Sequence, residues 1–358
     1  MGGIDPEAYL RLARGETRGP LASLGRLGLS LGSVGYRLGV GIRNAAFDRG
    51  WKAVHRASVP VISVGNLTLG GTGKTPMVEW LARWFRDRDV RVCLISRGYG
   101  QAGSVNDEGL VLEENLPDVP HLQGPDRVKL AAVAVEELET QLILLDDGFQ
   151  HRRLARDLDL VLLDALDPFG LGRLFPRGLL REPINSLRRA QVAVVSRADL
   201  VSDDRRRWIR DQVARRAGSI PLLESRHAPR DLVDGEGRSE PLGDLPGRRV
   251  AAFCGIGNPD GFRGTLARLG VDVVDLRVFP DHHPYAAGDV AGLERWANEL
   301  KPDLVLTTQK DLVKLRFSNL GDTPLRALRI GLEVVGDSEP LNRLLTALLP
   351  KIRSTESG

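Results

Sequence analysis

Residues 65–75 constrain this chain more than any other segment. The run Gly65-Asn66-Leu67-Thr68-Leu69-Gly70-Gly71-Thr72-Gly73-Lys74-Thr75 follows a β-branched apolar stretch (residues 59–64) and precedes Met77, Trp80, Leu81, Trp84 and Phe85, which recur at helical spacing. A glycine-rich turn ending in Gly-Lys-Thr between strand and helix is the form of a phosphate-binding loop. Gly70, Gly71 and Gly73 let backbone N–H groups turn inward, and the helix N-terminus adds a favourable dipole. Lys74 is expected to reach the outer phosphates of a nucleotide and Thr75 to ligate Mg²⁺, with Thr72 and Pro76 in the same binding segment. Thr68 stands where the motif usually has its first glycine.

Further apolar runs at 90–95, 141–145, 158–163 and 191–195 alternate with helical stretches. This predicts a P-loop NTPase-like parallel sheet covered by helices. The run at 141–145 ends in Asp146-Asp147, the arrangement in which a strand delivers a carboxylate to the metal at its C-terminal edge. Asp146 is the expected metal ligand and Asp147 a catalytic neighbour. After a Pro-, Gly- and charge-rich stretch at 228–248, runs at 250–253, 271–276 and 304–306 with helical segments between them predict a second, smaller α/β domain. The expected organisation is therefore 1–55 as an N-terminal segment, 56–227 as the P-loop domain, 228–248 as a linker, 249–350 as the smaller domain and 351–358 as a disordered tail.

The N-terminal segment differs from the rest. Arg18, Arg26, Arg37 and Arg43 punctuate a Leu- and Gly-rich stretch without acids, in which Leu24, Leu27, Leu31, Val34 and Leu38 fall at helical spacing. The uncharged run at 27–36 is far shorter than the roughly 20 residues a spanning helix needs. An amphipathic helix lying on an anionic membrane surface fits the pattern, and a helix packed on its own domain is the alternative. Six glycines between Gly25 and Gly41 weaken a free-standing helix, so some surface must support it.

Fifty basic residues against 47 acidic ones give a net charge of +3, which excludes a whole-protein nucleic-acid signature. The basic run at 203–216 lacks an aromatic ladder and reads as a solvated helix face. Cys93 and Cys254 each sit in an apolar run, without metal-ligand spacing, and read as buried bystander thiols. No secretory signal is recognisable, so a cytoplasmic location is expected.

Asp146-Asp147-Gly148-Phe149-Gln150-His151, with Ser96-Arg97-Gly98-Tyr99-Gly100 before it and Leu180-Arg181-Glu182-Pro183 after it, resembles the tetraacyldisaccharide 4'-kinases of lipid A synthesis. Gly257-Asn258-Pro259, Phe279-Pro280-Asp281-His282-His283 and Thr307-Thr308-Gln309-Lys310-Asp311 extend the likeness in the same order. The resemblance implies transfer of the ATP γ-phosphate to the 4'-hydroxyl of an acylated glucosamine disaccharide 1-phosphate. It also implies a peripheral enzyme at the cytoplasmic face of the bacterial inner membrane.

Carried over residue by residue, the resemblance makes Asp107, in Asp107-Glu108, the base that works with His282, so that both domains contribute to the site. It implies substrate-binding positions at Glu108, Gln150, His151 and Glu182. Arg177, Arg181 and Arg127 are candidates for neutralising phosphate charge, because guanidinium forks suit such oxygens. Asn106, Gly109 and Gln309 depart from the family's usual Gly, Pro and Glu. Ser196-Arg197-Ala198-Asp199 looks like a guanine-recognition motif, but the resemblance implies adenine. No nucleic acid and no obligate protein partner is expected. Competing readings are a regulatory or partitioning ATPase and a nucleotide-gated membrane-binding module; neither needs Asp107 with His282.

Overall fold

A computed structural model describes residues 6–98 and 107–354. These divide into two compact units. The first comprises the chain up to Arg97, Val119–Arg226 and the chain from Glu333 onward; the second comprises His227–Leu332 and the segment ending at Asp118.

The first unit opens with helices α1 (Pro6–Arg14) and α2 (Pro20–Asp48), followed by β1 (Val61–Asn66) and α3 (Lys74–Arg86). Next come β2 (Val92–Ser96), then, in the second unit, α4 (Asp107–Asn115). The first unit resumes with β3 (His121–Gln123), α5 (Arg127–Glu136), β4 (Leu142–Asp146), β5 (Leu158–Asp164), β6 (Val192–Ser196), α6 (Asp203–Ala217) and the start of β7 (Leu222–Val233). Its strands run β7-β6-β5-β1-β4-β2-β3, and every pairing among them is parallel. β1 is central and buried along its whole length, as expected of a parallel strand covered on both faces. Ile143 and Leu145 point to a layer with Ala131 and Ala134 of α5, whereas Val161, Leu163, Ala193 and Val195 face Ile209 and Val213 of α6. The charged remainder of α6 is solvated, with Arg206 and Arg210 both paired to Glu224.

The second unit continues with β8 (Ser239–Glu240), β9 (Arg249–Cys254), α7 (Pro259–Arg268), β10 (Asp272–Val278), α8 (Ala287–Leu300), β11 (Leu304–Thr308), α9 (Gln309–Leu315), β12 (Asn319–Leu320) and most of β13 (Thr323–Val335). Strands β10-β9-β11-β13 are mutually parallel. α8 packs Leu293 and Trp296 on one face, and α7 packs Phe262 and Leu266 on the other. Helices α10 (Glu339–Thr346) and α11 (Leu349–Ser354) return to the first unit.

Two expectations need correction. Residues 228–248 are not a linker: β7 continues to Val233 and pairs antiparallel with β8. The Asp234 carboxylate shapes the turn between them by accepting the N–H groups of Glu236 and Arg238. At the other end, 351–354 belong to α11 rather than to a tail, and 355–358 lie outside the described residues.

α2 is helical throughout despite its glycines, because one face is supported by its own unit. Tyr36 Oη donates to Arg181 O (2.9 Å), Ser33 Oγ to Leu174 O (3.0 Å), and Tyr36 meets Phe175 edge to face. The opposite face exposes Leu24, Leu27, Leu31, Val34, Leu38 and Ile42, each more than half accessible. Among the described residues no helix is long and apolar enough to cross a membrane.

Candidate active site

The glycine-rich turn leaves the C-terminal end of β1 and enters α3 through Gly73, whose φ of 82° lies in the left-handed region open to glycine. Lys74 and Thr75 then occupy the first turn of a helix whose leading N–H groups have no intrahelical acceptor. Pro76 fits the same turn, since it has no N–H to lose. Thr68, in place of the usual glycine, forms an antiparallel bridge with Leu180, flanked by Leu69 N–H to Leu179 O (2.8 Å) and Arg181 N–H to Leu67 O (2.7 Å). An extended backbone there makes a glycine unnecessary.

Three residues that sequence reasoning did not single out for the loop hold its shape. Asn66 Nδ2 donates to Thr68 O (2.9 Å), Ser196 Oγ donates to Thr72 O (2.7 Å), and Arg197 Nη2 reaches Gly71 O at 3.5 Å while pairing with Asp164. The Ser-Arg pair that looked like base recognition thus supports the loop. The Thr72 hydroxyl is buried without a hydrogen-bond partner among the described residues, a donor suited to a phosphate oxygen.

Lys74, Asp147, Arg181 and Gln150 converge beside the loop. Gly65 allows this: a Cβ there would lie 2.5 Å from Phe149 Cβ and 2.8 Å from Phe149 N, so only glycine lets the Asp147-Gly148-Phe149 turn close on β1. Asp147 receives Arg181 Nη1 at 2.8 Å on both carboxylate oxygens and lies 3.8 Å from Lys74 Nζ. Burial by itself would raise the Asp147 carboxyl, but Lys74, Arg181 and Arg127 outweigh it and hold the group below its ordinary value. Gln150 Nε2 donates to Asn66 O (2.9 Å), and its Oε1 lies 3.4 Å from Arg181 Nη1. Arg127, buried at the start of α5, points Nη2 at Asp146 O (3.5 Å).

Thr75 and Asp146 suit a magnesium ion by chemistry, as hard hydroxyl and carboxylate oxygens. The parallel register of β1 with β4 sets Asp146 beside Val64, at the sheet edge from which the loop springs. Among the described residues no cluster of three or more His, Cys, Asp or Glu could cage an ion.

Other expected positions do different work in this structure. Arg177 Nη1 donates to Ala13 O (2.6 Å) and its backbone N–H to Ser33 Oγ (2.9 Å), so it ties the helical hairpin down instead of facing the loop. Glu182, expected to touch substrate, is fully buried beneath Arg43 (2.7 Å), Arg189 (2.8 Å) and Asn44 (3.1 Å). His151 is pushed down to about 4 by burial and by Arg127, Arg153 and Arg156, and is neutral at pH 7.

In the second unit, Asp107 and Glu108 open α4, but their side chains lie outside the described residues, as do Tyr99, Gly100 and Asn106. His282 adopts φ 59° and donates its backbone N–H to Gly255 O (3.1 Å), while its exposed ring stands 3.9 Å from Asp281. His283 is held by Asp289 (3.0 Å) and stacks on Phe279. Gln309 exchanges hydrogen bonds with Asn115 and reaches Glu114 (3.1 Å), anchoring the far end of α4. Asp311, fully buried, accepts from Gly255 N–H (3.1 Å) and Tyr285 Oη (3.0 Å), which flank the His282 segment. Cys93 and Cys254 are buried, and desolvation raises each thiol to about 11.

The sequence pattern of the tetraacyldisaccharide-1-P 4'-kinase family matches residues 26–350. A tetraacyldisaccharide 4'-kinase of Anaeromyxobacter sp. (strain K) is 41% identical over 354 residues, covering 93% of each chain. One from Syntrophus aciditrophicus is 40% identical, covering 83% of this chain and 85% of its own. A solved structure of LpxK from Aquifex aeolicus in complex with ATP superposes with a TM-score of 0.71 at 30% identity, covering 90% of this chain and 99% of that one. With a phosphate loop braced by Asn66, Ser196 and the 179–181 segment, and a match of this extent, the chain belongs to the tetraacyldisaccharide 4'-kinase family.

Proposed function

We propose that this chain is an ATP-dependent kinase of lipid A biosynthesis, which transfers the γ-phosphate to the 4'-hydroxyl of tetraacyldisaccharide 1-phosphate. The observation that carries the reading is the Lys74–Asp147–Arg181 cluster beside a glycine loop that enters α3, in a chain with this family membership. Backbone N–H groups from Gly70 to Thr75 cradle the phosphates, with Thr72 and Pro76 in the same segment, and Lys74 meets charge developing on the transferred group. Thr75 and Asp146 would hold a magnesium ion, which when bound would neutralise phosphate oxygens. Asp147 keeps Lys74 and Arg181 oriented, and Arg127 and Gln150 complete the surround.

A sugar hydroxyl is a weak nucleophile at neutral pH, so a positioned base is needed. Asp107 takes the 4'-hydroxyl proton, with His282 accepting it or orienting Asp107, and Glu108 contributing to acceptor binding. The exposed apolar face of α2, with exposed Arg18 and Arg37 nearby, supports peripheral attachment to anionic lipid at the cytoplasmic face of the inner membrane. An acceptor with acyl chains in the bilayer makes such attachment useful.

The test incubates purified protein with labelled ATP and the acylated disaccharide 1-phosphate in detergent. Label should appear on the lipid and fall by orders of magnitude in Asp107→Ala. ATP hydrolysis without lipid labelling would refute the kinase reading in favour of a regulatory ATPase, and near-normal labelling in Asp107→Ala would remove it as base.

A further inference from the structure

α2 has an outer face whose apolar side chains are largely exposed and an inner face tied to the phosphate loop. Tyr36 Oη donates to the backbone oxygen of Arg181 at 2.9 Å. The N–H of that residue donates to Leu67 O, at the entrance of the loop, and its side chain grips Asp147. One residue later, both oxygens of the buried Glu182 carboxylate are held from α2, by Arg43 (2.7 Å) and Asn44 (3.1 Å). Arg189, on the same carboxylate, covers the ring of Phe149 with its guanidinium, 4.4 Å from the centroid. Near its end α2 also holds Arg152, through Asn44 O (3.1 Å) and Asp48 (2.6 Å), directly after Gln150 and His151.

We propose that Tyr36 and Arg43, on the inner face of α2, are positioning residues for nucleotide binding, acting through Arg181 and Glu182 on the Asp147–Lys74 pair. The inference rests on the phosphate-loop reading but not on the identity of the acceptor. A rotation of α2 moves the 179–182 segment, and with it both the bridge that shapes the loop at Thr68 and the guanidinium that orients Asp147. The helix therefore braces the nucleotide site from behind as well as presenting a surface, and its removal does more than detach the protein from lipid.

The experiment measures binding of a fluorescent ATP analogue to the full-length protein without lipid, together with KM for ATP and kcat. Tyr36→Phe removes only one hydroxyl, and loss of a hydrogen bond of about 1 kcal/mol corresponds to about fivefold weaker binding. Arg43→Met should weaken it about tenfold and raise KM for ATP more than it lowers kcat, while Arg43→Lys should recover most of the loss. Arg181→Met combined with Arg43→Met should bind no more weakly than Arg181→Met alone, because both act along one path. Losses that multiply, or Tyr36→Phe and Arg43→Met proteins that bind the analogue as wild type does, would overturn the proposal. A wild-type protein that does not bind the analogue would sink the phosphate-loop reading itself, a separate result.

Discussion

Replacing Glu182 by Gln separates a buried structural carboxylate from one that touches substrate. The side chain is 0% exposed, with Arg43 Nη2 at 2.7 Å from one oxygen and Arg189 Nη2 at 2.8 Å from the other. Removing one member of such a buried ionic cluster typically costs about 3–5 kcal/mol, because the remaining charges stay desolvated. Arg43 is 36% exposed and can turn toward water, which places the expectation near the lower end, at about 3 kcal/mol. The residual burden falls on Arg189: burial lowers its guanidinium, and Glu182 is what opposes that effect. At about 2–4 °C per kcal/mol for a unit of this size, the midpoint of thermal unfolding should fall by about 6–12 °C. Circular dichroism against temperature at neutral pH, with KM for ATP and acceptor measured below the transition, provides the readout. A midpoint within about 2 °C of wild type, with the defect confined to acceptor KM, would refute the reasoning and return Glu182 to the substrate.

The same geometry carries three further expected outcomes. Lys74→Ala should lower kcat/KM by about 10²–10³-fold, the usual scale for one transition-state donor. Its melting temperature should hold, since Asp147 keeps Arg181; a melting loss without a rate loss would contradict this assignment. Gly65→Ala forces a Cβ to 2.5 Å from Phe149 and should destabilise the protein by about 1–3 kcal/mol while weakening ATP binding, and an unchanged denaturation midpoint would show that the turn has room. His151, depressed to about 4, is neutral in the folded protein, whereas the unfolded chain takes up its proton near pH 6.5. Its contribution is therefore complete above about pH 6.5 and declines as pH falls toward 4. After discounting for solvent screening of a partly exposed ring, about 1 kcal/mol of this pH dependence should vanish in His151→Gln when unfolding by urea is compared from pH 7 to 4.5. Parallel slopes would exclude the assignment.

Most of the strands that sequence reading recovers have apolar side chains on both faces. β1, β2, β4, β5 and β6 are buried along nearly their whole length and mostly apolar because helices cover them above and below. β7 and β13 escape the same reading because they carry charge along their length. In the first unit Arg226 pairs with Glu333, and in the second Arg329 grips Asp231 with two hydrogen bonds of 2.6 Å. Charge that is neutralised across strands removes the hydrophobic period from either strand taken alone. The Pro- and Gly-rich stretch at 228–248 misleads for a related reason: its turn is specified by one carboxylate, Asp234, while the flanking residues still pair.

The site divides along the same line. Lys74, Thr75, Asp146 and Asp147 are legible because their chemistry is local: a lysine and hydroxyl at the start of a helix, and carboxylates at the end of a strand. Asn66, Ser196 and Arg197 are not, since each acts on a loop carbonyl that only the tertiary fold brings near. Thr68 owes its place to the same dependence on distant chain. A glycine at the first motif position normally lets a free loop turn by itself, but here the 179–181 segment pairs with 67–69 and imposes an extended backbone, so a buried threonine suffices. The shape of the phosphate loop therefore depends on a segment more than a hundred residues away, and that segment depends in turn on α2 through Tyr36 and Arg43. A substitution in the N-terminal helix can for that reason change how tightly ATP is held without altering any residue of the glycine-rich motif.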